Sequence, residues 1–455
     1  RDLRMSRGLG DVYKRQEERQ TDGVKLLYHD VETNGIGYVT ALFDLSEIEE
    51  ELLPYAGILQ SVLGIIDTEH YGYGELFNEI NVHTGGIGTS LELYTDVTKV
   101  KEKEFRATFE IKGKALDPKL DVLFAMMREI LMESKLGDEK RLKEILSMLK
   151  TRLQTSFLSA GHTTAVLRSL SYTSPIARFR DITSGIGFYE VVKDLEENFE
   201  ERKELLIENL KKIAGRIFRK ENLMLSYTSA QEGLAVLEKA VPQFADSLHT
   251  GEKESHGQCI IHCKKRNEGF RTSSKVQYVA RTGNFIDGGA EYTGALQILK
   301  VILSYDYLWQ NVRVKGGAYG CMSGFNRIGE GYLVSYRDPN LEKTMEIYEG
   351  VVDYLKNFDI DDRDMNKFII GTISNLDRPM NPAAKGSRSL NLYMNRITEE
   401  MIRREREQIL DAQQEDIRGL ATVLEAVLAA GELCVIGSEE KIEEAKEMFG
   451  EIRTL

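Results

Sequence analysis

The chain repeats itself at long range, and this duplication restricts its fold more than any other feature. Leu76, Phe77, Ile80, Val82, Gly85 and Gly88 recur as Leu308, Trp309, Val312, Val314, Gly317 and Gly320, all at an offset of 232 residues. Farther on, Asp117-Pro118-Lys119-Leu120 recurs as Asp338-Pro339-Asn340-Leu341 at an offset of 221. The stretch between these landmarks is eleven residues longer in the first copy. Chance supplies isolated matches. Six apolar or glycine matches at one offset, followed by the same order of elements, make a duplication the better reading.

The second landmark carries a mechanism. Asp suits a helix N-cap, and Pro suits the first helical position, where no N–H is needed. Strand-like runs precede both copies of it, Phe105 to Ile111 and Tyr332 to Tyr336. Apolar residues at helical spacing follow both: Leu120, Leu123, Phe124, Met127 and Ile130, then Met345, Tyr348, Val351, Val352 and Leu355. A second acid-capped helix is predicted near Asp138 and near Asp361. Each copy closes with a strand and a helix: Leu223 to Tyr227 then Ala230 to Ala240, and Leu433 to Ile436 then Glu439 to Phe449. Between the copies, Pro242 to Gly257 is polar and has a linker's composition. These patterns predict an α+β chain of two homologous domains, residues 21–242 and 256–455, joined by a linker at 243–255.

Residues 1–20 stand apart from both copies. Arg1 to Gln16 has no helical or strand period and is rich in basic residues. It reads either as a disordered basic tail or, because MSRGLGDVYKRQ looks like translated adapter sequence, as non-native. The second reading implies that the true chain continues upstream.

Charge and composition remove several function classes. A formal net charge of −13 argues against a general nucleic-acid binder, which needs clustered Lys and Arg. No apolar run is long enough to cross a bilayer, so no membrane partner is expected. Cys259, Cys263, Cys321 and Cys434 are too few for a disulfide framework, which suggests a reducing, cytoplasmic setting.

The segment Arg313-Val-Lys-Gly-Gly-Ala-Tyr-Gly320 holds the strongest chemical signal. A guanidinium and a phenol both donate hydrogen bonds to an oxygen gaining negative charge. At the offset of 232, Arg313 faces Asn81 and Tyr319 faces Ile87, whereas Gly317 and Gly320 recur as glycines. The glycines therefore belong to the scaffold, and the two donors are additions of the second copy. The plainer alternative is a surface Arg and a half-buried strand Tyr. Gly316-Gly317 is not a phosphate loop, because no Gly-Lys-Ser/Thr follows. It reads as a tight turn, or as a place where another backbone, such as a substrate strand at a sheet edge, comes close.

Other candidates are weaker. His70, Glu75, Glu79 and His83 could suggest a metal, but Gly72 and Gly74 separate His70 from the helix, and a solvated acidic helix explains them equally. Cys259, His262 and Cys263 read as a strand in which His262 points away from both thiols. His162 reads as a surface or capping histidine. Arg378-Pro379-Met380-Asn381-Pro382 reads as a connector between helices.

The two-copy organisation, LFNEINVHTGGIGTSLELY and NVRVKGGAYGCMSGF together resemble the pitrilysin/insulinase superfamily of zinc metallopeptidases, in particular its presequence-protease subfamily. The resemblance spans 21–455 and is to the C-terminal half alone. It implies two α+β domains, each a mainly antiparallel sheet packed against helices, forming one half of a clamshell. The family's His-x-x-Glu-His zinc motif is absent; on the matching helix, Leu53 to Ile65, Tyr55, Ile58 and Leu59 would occupy its positions. No metal ligand is expected in this chain, and zinc is expected in an N-terminal catalytic half. By the resemblance, Arg313 and Tyr319 reach into that half's active site as substrate or transition-state contacts, and Gly316 and Gly317 lie against substrate. The implied substrates are short unfolded peptides. The implied partner is the N-terminal half of the same polypeptide or a separate catalytic subunit, without which the chain is expected to be inactive. The alternative is a standalone, non-catalytic peptide-binding or partner subunit of the superfamily.

Overall fold

The computed structural model describes residues 16–455. The reading of the N-terminal segment as tail or non-native sequence therefore lies, up to residue 15, outside the described residues. Strand β1 (Glu17–Thr21) already pairs with β2 (Val24–Asp30), so residues 17–20, grouped with that segment by their sequence, belong to the first sheet.

That sheet continues with β3 (Ile36–Asp44), β4 (Ile87–Tyr94), β5 (Arg106–Leu116) and β6 (Leu223–Ser229), in the order β1-β2-β6-β3-β5-β4. The second sheet comprises β7 (Glu268–Thr272), β8 (Tyr278–Asn284), β9 (Gly320–Phe325), β10 (Glu330–Tyr336), β11 (Glu432–Ser438) and β12 (Glu451–Thr454), in the order β12-β7-β11-β8-β10-β9. Without the outermost strand of each, the orders coincide. The first pair is parallel and the remaining pairs antiparallel in both. The duplication read from two sequence offsets is thus a duplication of topology.

Packing explains which residues recur. Leu76 and Leu308 are buried, as are Ile80 and Val312, because each pair fills the same place in its own core. Asp138 and Asp361 cap their helices as predicted, accepting from Arg141 N at 3.0 Å and Asp364 N at 2.8 Å. The Asp-Pro landmark behaves differently from the prediction. Asp117-Pro118-Lys119 forms a short 3-10 turn, and the α-helix starts only at Leu120. Asp338 is buried and accepts from Asn340 N and the Thr344 hydroxyl, at 2.9 and 2.6 Å, ahead of the helix Glu342–Glu349.

The copies also exchange helices. Gly161–Leu170 of the first copy packs on β8, β10 and β11 of the second. Pro382–Met394 of the second, at the same offset of 221, packs on β2 and β6 of the first. Strand β6 is consequently buried along its whole length, as expected for a strand covered on both faces. Gly386 permits the closest contact, since a Cβ there would collide with the Thr228 side chain. The core of the first copy runs on into Phe270, Tyr278, Val334 and Ile436 of the second.

Two connections differ from expectation. The helix Gln231–Asp246 carries on through Pro242, with Val241 and Phe244 buried and the Phe244 ring 5.1 Å from Phe124. The linker expected at 243–255 thus begins inside a helix, and the stretch without helix or strand extends to residue 267. The additional length of the first copy lies largely between β4 and β5, where residues 95–105 form an arm toward the second copy. Thr95 N donates to Asn395 Oδ1 at 2.7 Å, and Lys103 pairs with Asp287 at 2.6 Å.

Candidate functional site

The helix Ala295–Tyr305 leads into a π-helical turn, Trp309–Val314, where Lys315 N donates to the Gln310 carbonyl at 3.0 Å. The first copy has an ordinary α-helix here, Tyr73–His83. Such turns are rare and are frequent at functional sites. Arg313 is exposed on it, with its guanidinium 4.1 Å from the centre of the Trp309 ring, a stacking cation–π contact. Among the described residues it forms no ion pair.

Gly316 and Gly317 close the turn. At Gly316 a Cβ would press on the Val312 carbonyl, and Gly317 has φ +82°. Ala318 N then donates to the Val312 carbonyl at 3.1 Å, and Asn340 Nδ2 to the Gly316 carbonyl at 2.6 Å. The backbone that comes close at Gly316 is therefore the chain's own.

Tyr319 N donates to the Tyr336 carbonyl at 3.0 Å, which sets the start of β9. The Tyr319 side chain is 69% exposed and meets the Tyr336 ring edge-on at 6.3 Å, so it is not a core residue. Its hydroxyl has no hydrogen-bond partner among the described residues. Strand β9 is the edge of its sheet and pairs with β10 alone, which leaves a row of backbone donors and acceptors open to an extended peptide.

Arg313 lines a cleft of about 870 Å3 together with Lys300, Arg378, His162, Tyr336 and Met322. Two of these residues carry little signal in the sequence. Arg378 belongs to the segment that reads as a connector, yet it stands at the cleft wall, donating to Asn375 Oδ1 at 2.7 Å. His162 reaches the cleft because its helix crosses to the other copy's sheet. Its ring packs edge-on against Tyr336 at 4.9 Å, its Nδ1 is buried without a partner, and burial lowers its pKa. A basic residue before a helix-breaking Pro-x-x-Pro is the one available signal for Arg378; nothing local marks His162.

The remaining candidates separate. Glu75 closes a capping box with Gly72 N at 3.2 Å, Glu79 pairs with His83 at 3.3 Å, and His70 Nδ1 contacts Glu129 at 3.0 Å. No group of three or more His, Cys, Asp or Glu among the described residues is arranged to hold a metal ion. At the family's zinc positions, Ile58 and Leu59 are fully buried aliphatics in the helix Leu53–Val62, and Tyr55 packs against the same core, so this donor set does not fit zinc. Cys259 to Cys263 form no strand; Cys259 N donates to the Ser46 carbonyl at 2.8 Å, and His262 Nδ1 lies 2.7 Å from Glu50 Oε2. All four cysteines are free. No described helix is long and apolar enough to cross a membrane.

Two interlocked copies of one α+β unit, each a six-stranded sheet packed against helices, with a pair of exposed donors beside the edge strand of the second, define the architecture to be compared: one half of a duplicated α+β shell. Comparison with known proteins agrees. Residues 6–195 match the family model for the region associated with subfamily C of the M16 peptidases, and residues 267–439 match "PreP C-terminal domain". Protein HypA of Clostridium perfringens is 37% identical over 441 residues, covering 96% of this chain and 45% of the relative. Presequence protease 1, chloroplastic/mitochondrial, of Arabidopsis thaliana is 30% identical over 447 residues, covering 97% and 41%. The chain thus spans a little under half the length of these curated relatives. Among solved structures, the peptidase M16 inactive domain from Pseudomonas fluorescens superposes with a TM-score of 0.63 at 13% identity, covering 93% of this chain and 98% of that one. A conserved protein from Enterococcus faecalis V583 gives 0.63 at 15% identity, covering 94% and 99%. The chain belongs to the M16 peptidases and corresponds to the C-terminal half of their presequence-protease-like members.

Proposed function

We propose that this chain encloses short unfolded peptides and completes the active site of a zinc metalloendopeptidase half, either the N-terminal part of the same polypeptide or a separate catalytic subunit. The observation that carries this reading is the exposure of Arg313 and Tyr319 beside an open edge strand, with neither donor engaged by a carboxylate or hydroxyl of the described chain. Tyr319 would donate to the scissile carbonyl oxygen as that oxygen gains negative charge; zinc held by the other half would supply the activation of water. Arg313 would hold a substrate carbonyl or support the phenol. Gly316 and Gly317 keep the turn low, so that a peptide can lie against it on its way to β9. Matched apolar positions support a partner surface: Phe77 and Trp309 are 63% and 37% exposed, and Val82 and Val314 are 71% and 58% exposed. Four free cysteines favour a cytoplasmic location.

Reconstitution tests the proposal. Residues 16–455 alone are expected to show no zinc-dependent hydrolysis of a fluorogenic peptide, and addition of the zinc-bearing half is expected to produce it. Zinc-dependent cleavage by the chain alone would overturn the reading.

A further inference from the structure

The cleft that Arg313 lines is cationic in a chain whose net charge is −13. Lys300, Arg313 and Arg378 stand on its walls, no Asp or Glu lines it, and among the described residues none of the three forms an ion pair. Arg378 contacts the neutral Asn375 side chain, and Arg313 stacks on Trp309. Elsewhere on the surface, basic side chains commonly face carboxylates, as at Lys150–Glu196 and Lys220–Asp246. A set of cations kept apart from the chain's abundant acids leaves its charge available to a ligand.

The cleft does not end there. At His162 and Met322 it meets a second groove of about 390 Å3 that runs between the helix Gly161–Leu170 and strands β9 and β10. Val166, Leu167, Ile176, Met322 and Val334 make its floor largely apolar, and Arg180 and Glu330 also line it. The unpartnered His162 Nδ1 sits at the junction. Cationic cleft and apolar groove thus lie in line beside the open edge strand.

We propose that this composite groove binds a peptide carboxylate in the cleft of Lys300, Arg313 and Arg378, with apolar residues of the same peptide in the groove floored by Leu167, Met322 and Val334. The carboxylate is a C-terminus or an acidic side chain, since both present the same oxygens to a guanidinium fork. The proposal rests on the reading that the chain encloses peptides, and it adds a preference. Arg313 would then serve at both the cleft and the reacting site.

Binding of a labelled ten-residue peptide to the 455-residue chain, followed by fluorescence anisotropy, tests this. The peptide carries apolar residues, one Glu and a free C-terminus; two further versions carry a C-terminal amide or Glu replaced by Gln. Removal of the recognised carboxylate is expected to weaken binding about tenfold. Loss with the amide assigns the C-terminus, and loss with Gln assigns the side chain. Arg378→Gln and Lys300→Gln are expected to abolish the difference between the peptides, and thermal melts should show both variants folded. Equal affinity for all three peptides, or binding of none, overturns the proposal. The measurement needs no zinc half, so its failure is separable from a failure of the oxyanion role, which only the reconstituted pair reports.

Discussion

In the first copy, the turn before the edge strand carries Asn81 on a regular α-helix and Ile87 packed against the core. In the second, the same turn is π-helical and carries Arg313 and Tyr319 in the open. The residues beneath the two turns, Leu76 and Ile80 against Leu308 and Val312, are buried alike. Positions that fill the shared core are held by packing, where a change of volume costs stability. Positions at the sheet edge are not, so one copy could acquire hydrogen-bond donors while the scaffold stayed.

The exchanged helices differ in the same way. Arg168 and Ser389 occupy equivalent places at the offset of 221. Arg168 forks onto Glu268 at 2.7 and 3.0 Å and reaches Asp181 at 2.7 Å, all of it buried. Burial alone would lower the Arg168 pKa, but Asp181 and Glu268 carry it above the usual value; burial works against Glu268, which Arg168 holds below the carboxylate range. Ser389 instead meets a neutral partner: its Oγ lies 2.8 Å from His29 Nδ1, while His29 Nε2 lies 2.8 Å from Ser226 Oγ. Burial pushes His29 down to about 4. One interlock is ionic and the other is neutral.

This contrast can be broken experimentally. Arg168→Met takes from Glu268 and Asp181 their shared buried partner, leaving only the more exposed Arg453 and Arg178 beside them, and is expected to cost about 3 kcal/mol in urea unfolding, whereas Ser389→Ala should cost about 1 kcal/mol. Between pH 4.5 and 7 the neutral interlock should be the pH-sensitive one, because Glu268, whose pKa is lowered from 4.5, gives up its contribution only as pH falls below that value. The folded-state value of His29 lies below its ordinary 6.5, so its contribution is whole above pH 6.5 and declines as pH falls toward 4. The loss amounts to about 3 kcal/mol at most. His162 and His249 are also lowered by burial and act in the same direction, while buried Glu110 and Glu432 are raised and act oppositely. The difference between wild type and His29→Gln across pH 4–7 isolates His29, and the variant should show the shallower acid slope. Gly386→Ala, forced against Thr228, is expected to lower stability by about 1–3 kcal/mol, while Ala165→Gly at the matching place should cost about 1 kcal/mol through helix propensity. The smallest effect sharpens the likeness of the copies: Asp138→Ala and Asp361→Ala should each cost about 1 kcal/mol, because both remove the same N-cap bond.

The duplication is legible in the sequence because packing repeats residue types at fixed offsets. The Asp138 and Asp361 caps are legible because capping is local. The Asp117-Pro118 pair misleads for the same local reason: a short 3-10 turn and a helix start share that signature. Pro242 suggests a break, yet buried Val241 and Phe244 hold the helix through it. The exchange of helices leaves no trace, since an offset shows that two helices correspond and not whose sheet each covers. His162 escapes notice as a consequence, being brought to the cleft by that exchange alone. Arg313 and Tyr319 stand out because they break the repeat where the glycines keep it.

In the proposed role, the second copy supplies hydrogen-bond donors to a site whose zinc lies in another half. Its most direct test is kcat for peptide cleavage by the reconstituted pair carrying Tyr319→Phe, set against the pair carrying Ile87→Ala. Tyr319→Phe is expected to lower kcat about 100- to 1000-fold with little change in KM, as for the loss of one oxyanion donor. Ile87→Ala should leave kcat nearly unchanged. An undiminished kcat for Tyr319→Phe would contradict that role.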